Sequence, residues 1–92
     1  MVTVELTRHL YTFFPALKER AIEVEAGTVA DVVRAVEGLA EGFTFYICDE
    51  RGRLRPHVNI FIGDERVADR KQLSDRVPDG GRVFILQALS GG

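Results

Sequence analysis

The sequence predicts an α+β fold, a mixed sheet with one main helix packed on one of its faces. Three patterns carry this expectation. Val2, Val4 and Leu6 alternate with Thr3, Glu5 and Thr7, the period of two that marks a half-buried strand. Val29, Val32, Val33 and Val36, followed by Leu39 or Ala40, recur at the spacing of one helix face. Val58, Ile60 and Ile62, and later Val83 and Ile85, return to the period of two. A chain of 92 residues is one domain by length, and it buries roughly 60–65% of the surface its unfolded form exposes. One modest core follows, with little room for an enclosed active site.

The first strand spans residues 2 to 7. An aromatic connection containing Pro15 follows, from Arg8 to about Lys18. Ile22 and Val24 alternate with Glu23 and Glu25 and form a second strand that Gly27 ends. With so short a link the two strands pair as a hairpin. Thr28 starts the helix. Its hydroxyl is placed to cap free amides of the first turn, and Asp31 puts a negative charge near the positive end of the helix dipole. Valine is only a moderate helix former, so packing of the apolar stripe supplies most of the stability. The helix stops near Gly42. Phe43, Phe45 and Ile47 alternate with Thr44, Tyr46 and Cys48, which reads as a short strand or extended segment. Residues 49–56 form a charged loop around Gly52, and 58–62 a strand. Gly63-Asp64 is a hairpin turn, and 65–68 a short return strand. Residues 73–77 read as a helical turn, 78–81 as a turn, and 82–89 as the final strand. One helix then covers one face of one sheet, with the last strand in the middle beside the first. That is the β-grasp, or ubiquitin-like, arrangement.

Charge and composition exclude several classes. The net charge is −2 and the isoelectric point about 5.6. Nucleic-acid binders are normally basic, so nucleic acid is not an expected partner. Cys48 is the single cysteine, so no internal disulfide can form, and no cysteine and histidine cluster has zinc spacing. No metal and no bound cofactor are expected. The N-terminal residues lack a basic stretch followed by an apolar one, and no apolar run approaches the ~20 residues that cross a bilayer. The expected location is the cytoplasm, with no membrane partner.

Directly after the last strand comes Leu89-Ser90-Gly91-Gly92. Glycine has the most backbone freedom to lose on folding, so this stretch does not serve stability. Three further stretches are Gly27-Thr28-Val29-Ala30-Asp31-Val32-Val33, Gly52-Arg53-Leu54-Arg55-Pro56-His57-Val58-Asn59-Ile60 and Pro78-Asp79-Gly80. With them, essentially the whole chain resembles the ThiS/MoaD family of ubiquitin-like sulfur carriers, which includes the small subunit of molybdopterin synthase. Only the glycine tail is chemically specific; the other stretches mark the fold. The chain departs from the family at Gly81-Arg82, where members often carry a second acidic residue, and at Gln87, where many have proline.

The resemblance implies that the chain has no catalytic residues of its own. The reactive group is the carboxylate of Gly92. An E1-like adenylating enzyme, using ATP, joins it to AMP. A sulfide or persulfide source displaces the AMP and leaves a thiocarboxylate, and a sulfur-accepting synthase subunit takes the sulfur. Ser90, Gly91 and Gly92 form a flexible tail on a domain spanning residues 1–89. Fully extended, that tail reaches roughly 10 Å past the sheet, at ~3.3–3.6 Å per residue. Residues without Cβ let the backbone enter a narrow site. A ubiquitin-like modifier, joined through Gly92 to lysine amines, shares this activation. A non-covalent interaction module is the third alternative.

By alternation, Phe84 and Leu86 face away from the helix, together with Phe61 of the middle strand. An exposed apolar patch usually marks a contact site, so these three residues are the expected partner interface. Cys48 precedes Asp49 and Glu50, whose charges disfavour a thiolate, and reads as a small buried apolar residue. Arg51, Arg53, Arg55 and His57 form a basic strip, read as a solvated loop that could also dock an acidic partner. His9 and His57 have no nucleophile at motif spacing.

Overall fold

The structure, a computed structural model, describes residues 1–18 and 21–88. In chain order its elements are β1 (Val2–Leu6), α1 (Arg8–Phe13), β2 (Ile22–Val24), β3 (Gly27–Thr28), α2 (Val29–Leu39), α3 (Phe43–Ile47), β4 (Val58–Ile62), β5 (Glu65–Arg66), β6 (Arg76–Val77) and β7 (Arg82–Gln87). A 3-10 turn at Pro15–Leu17 follows α1.

β1 and β2 form the expected hairpin, with Val2 opposite Val24 and Val4 opposite Ile22. The main sheet runs β2-β1-β7-β4-β5. β7 lies parallel to β1, with Val4 opposite Val83, and antiparallel to β4, with Ile60 opposite Ile85. The last strand is therefore central and beside the first. On the inner face Val2, Val4, Leu6, Val58, Ile60, Val83 and Ile85 are buried in one cluster with Val29, Val32, Val33 and Val36 of α2. This is the β-grasp arrangement that the sequence predicts.

α2 begins with a reciprocal cap. The Asp31 amide donates to Thr28 Oγ1 at 3.1 Å, and the Thr28 amide donates to the Asp31 carboxylate at 3.0 Å. Two more first-turn donors are satisfied from outside the helix. The Val29 amide donates to the Asp75 carbonyl and the Ala30 amide to the Leu73 carbonyl, each at 2.9 Å.

Three segments differ from expectation. Residues 43–47 form the helix α3 rather than a strand. Phe43 and Ile47, four apart, are buried, while Phe45 faces solvent. A strand would have put all three on one face, but a spacing of four fits both periods. Glu37 decides the matter. Its carboxylate accepts from the amides of Gly42 and Thr44, each at 2.8 Å, which satisfies free donors at the start of α3. Gly42 takes φ 93°, a conformation that glycine adopts without cost.

Residues 73–77 do not form a helical turn. Arg76–Val77 is β6, paired with β3. The Asp69 carboxylate accepts the amides of Lys71, Gln72 and Ser74, and the Asp75 carboxylate those of Ala68 and Asp69. Carboxylates thus take donors that a helix would have used. The connection after β1 is likewise ordered, as α1 and the 3-10 turn. Leu10 and Leu17 enter the core, and Phe14 meets Phe43 and Tyr46 edge-on at 5.4 and 5.5 Å. Leu89 at the expected end of the last strand, and Ser90, Gly91 and Gly92, lie outside the described residues.

Candidate functional site

The end of β7 is anchored on every side. Gln87 pairs with Val58. Its amide donates to Thr7 Oγ1 at 3.0 Å, and the Thr7 hydroxyl donates to the Ile85 carbonyl at 3.1 Å. The Gln87 side-chain oxygen lies 3.1 Å from His9 Nε2. One residue on, the Ala88 amide donates to the His57 carbonyl at 3.0 Å. Whatever follows Ala88 therefore starts from a fixed point.

The outer sheet face brings together the three residues expected there. Phe84 stands opposite Phe61, with Leu86 opposite Asn59. Phe84 is 36% exposed, and Phe61 and Leu86 are half-buried. Polar groups rim the patch. Glu5 lies opposite Phe84 on the other side and pairs with Arg82. The Arg66 guanidinium sits 5.8 Å from the Phe61 ring centroid, within cation–π range. Arg70 donates to Asn59 Oδ1 at 3.1 Å and to the Arg55 and Val58 carbonyls at 2.8 Å.

Cys48 is buried. Burial, and next the neighbouring Asp49 charge, push its thiol pKa up against the pull of Arg55. The basic strip is divided rather than continuous. Arg53 pairs with Asp49 at 3.1 Å. Arg51 lines a hollow on the helix side with Arg34 and Lys71. Arg55 lies over the Phe45 ring, 5.1 Å from its centroid, and donates to the Phe45 carbonyl at 3.2 and 2.8 Å. Two aromatics not expected at a contact face are more exposed than Phe84: Phe45 at 65% and Phe13 at 59%. Phe45, Tyr46, Arg55, His57 and Gln87 line a hollow of about 310 Å³ at the end of β7. The signal for it, an aromatic residue out of phase with the buried face of a helix, is visible only once α3 is known to be helical. Among the described residues no group of three or more histidine, cysteine or acidic side chains could hold a metal ion, and no helix is long and apolar enough to cross a membrane.

A β-grasp core that secures its central strand up to one exposed end is the architecture of ubiquitin-like proteins. No family model matches the chain. Sulfur carrier protein CysO of Mycobacterium tuberculosis is 29% identical over 76 residues, covering 80% of this chain and 82% of that protein. A chain in the crystal structure of the Amycolatopsis orientalis BexX/CysO complex superposes with a TM-score of 0.83 at 28% identity, over 100% of both chains. Small archaeal modifier protein 3 of Haloferax volcanii is 28% identical over 65 residues, 71% of this chain and 70% of that protein. The chain is thus similar to ubiquitin-like sulfur carriers and to a small modifier protein, in keeping with its resemblance to the ThiS/MoaD family.

Proposed function

We propose that this protein carries sulfur on Gly92 and that a separate E1-like adenylating enzyme activates it. A carboxylate oxygen of Gly92 attacks the α-phosphorus of ATP, and pyrophosphate leaves. Hydrosulfide then attacks the acyl carbon and AMP leaves, so Gly92 ends in a thiocarboxylate. ATP is bound by the partner. A sulfur-accepting synthase subunit takes the sulfur on, in the cytoplasm. The carrier supplies no acid, base or nucleophile other than its own terminus, and its part is presentation. The placement of β7 carries this reading: it is paired on both sides, held at Ala88 and followed by Leu89-Ser90-Gly91-Gly92. Ser90 and Gly91 form the slender lead, and Phe84, Leu86 and Phe61 form the partner-facing patch.

The test is transfer of AMP from ATP by the activating enzyme of the same organism, followed by sulfide and intact mass. The loaded chain is heavier by the difference between sulfur and oxygen. Deleting Gly92, or making Gly91→Val, abolishes AMP transfer and leaves the circular dichroism spectrum unchanged. Normal adenylation of either variant overturns the reading. Likeness to a small archaeal modifier protein favours a second reading, in which a lysine amine replaces hydrosulfide and an isopeptide bond forms. Recovery of lysine-linked conjugates after enrichment distinguishes it.

A further inference from the structure

We infer that Phe45, Arg55 and His57, with Phe13 at the rim, form a collar around the base of the tail. On this collar the activating enzyme seats an acidic segment with an apolar side chain. The inference rests on Gly92 being the group that enzyme activates.

Reach is the first argument. Ala88 is tied to His57, and Gly92, the residue proposed to be activated, comes four residues later. Fully extended, these four residues span at most about 14 Å, at ~3.6 Å per residue. An ordinary interface covers about 800 Å² of each partner, a disc roughly 16 Å in radius. A tail this short cannot enter a recessed site unless its immediate surroundings touch the enzyme. The hollow of Phe45, Tyr46, Arg55, His57 and Gln87 is that surrounding.

Exposure is the second. Phe45 and Phe13 are 65% and 59% exposed, against 36% for Phe84. The Phe13 ring packs at a tilt against Tyr46, 5.2 Å between centroids, and Tyr46 lines the same hollow as Phe45. Aromatic and arginine side chains dominate the energetics of interfaces. Arg55 is already held over Phe45 by its two bonds to the Phe45 carbonyl, so little freedom is lost when a partner binds.

Charge is the third, and it selects the occupant. The chain as a whole carries −2, yet the lining of this hollow includes Arg55 and His57 and no carboxylate. Among the described residues no acidic side chain pairs with Arg55. A partner carboxylate fits the guanidinium edge while an apolar side chain covers Phe45.

The test measures AMP transfer by the activating enzyme at varied carrier concentration, with wild type, Phe45→Ser and His57→Glu. Both positions are exposed, so melting temperatures stay at the wild-type value. KM for the carrier rises roughly tenfold or more in each variant, and kcat stays within about twofold. Unchanged KM in both variants, with a wild type that is adenylated normally, overturns the collar and leaves the function intact. A wild type that is never adenylated overturns the function itself. A dimer in sedimentation that Phe45→Ser dissolves assigns the hollow to a second copy and overturns the assignment to the enzyme.

Discussion

At the C-terminal end of α3, Cys48 lies in the buried cluster and forms an isolated antiparallel bridge with Leu54. Its raised pKa follows from burial first and Asp49 second, and the thiolate is the form that reacts. The native protein is therefore expected to resist iodoacetamide at neutral pH and to react once unfolded. Cys48→Ser should load sulfur at the wild-type rate while losing about 1–3 kcal/mol of stability, because the new hydroxyl is buried in apolar surroundings. If loading stops while the fold survives, the thiol lies on the sulfur route. Carboxylates behave in the opposite sense. Bonds from the Thr44 and then the Gly42 amide hold Glu37 below its ordinary 4.5. Asp31, bonded first by Thr28, lies below its ordinary 3.8. A folded-state pKa that is lowered gives stability that is full above the unfolded value and is lost as pH falls through the folded one. Melting temperature should hold from neutrality to about pH 5 and drop below about pH 4. Glu37→Gln should melt lower at neutral pH and show a shallower acid slope; an unchanged slope would count against the cap.

Among the elements, α2 combines a weak intrinsic former with a strong cap and a fully buried stripe. Val36→Ala removes two core methyl groups and should cost about 2 kcal/mol in chemical denaturation. Thr28→Ala removes the cap and should cost about 1 kcal/mol. A Thr28→Ala loss as large as that of Val36→Ala would mean the loop at 73–75 also unravels. β1, β4, β7 and α2 were legible in the sequence because each buries one face and exposes the other, which forces a period on the residues. α3 was not, since two residues four apart satisfy either period and the deciding contact comes from Glu37, six residues before Phe43 begins the helix. β6 was hidden for a related reason. Its register with β3 is local, and the turn before it is set by Asp69 and Asp75 rather than by any apolar pattern. The candidate site divides in the same way. Phe84, Leu86 and Phe61 could be placed by alternation, whereas the hollow under Phe45 depends on α3 being a helix.

For the molecule as a whole, the outer sheet face and the end of β7 adjoin each other, so one partner can cover both. Phe84→Ser should weaken binding of the activating enzyme at least about tenfold while changing stability by less than about 1.5 kcal/mol. Serine is the cleaner replacement, because Glu5 stands opposite and would repel an aspartate. Outright unfolding of that variant would make Phe84 a core residue. The parallel pairing of β1 with β7 has a further consequence, for synthesis. Residues 3–6 find their partners only at 82–85, and contacts so distant in sequence form late. A nascent chain that has emerged only as far as β5 holds two edges of a sheet with nothing between them. The domain can close only when the central strand, residues 82–87, has been made and has emerged. A chain cut short before β7 keeps two unpaired sheet edges and is left to proteases, which makes folding itself a check that translation has passed residues 82–87.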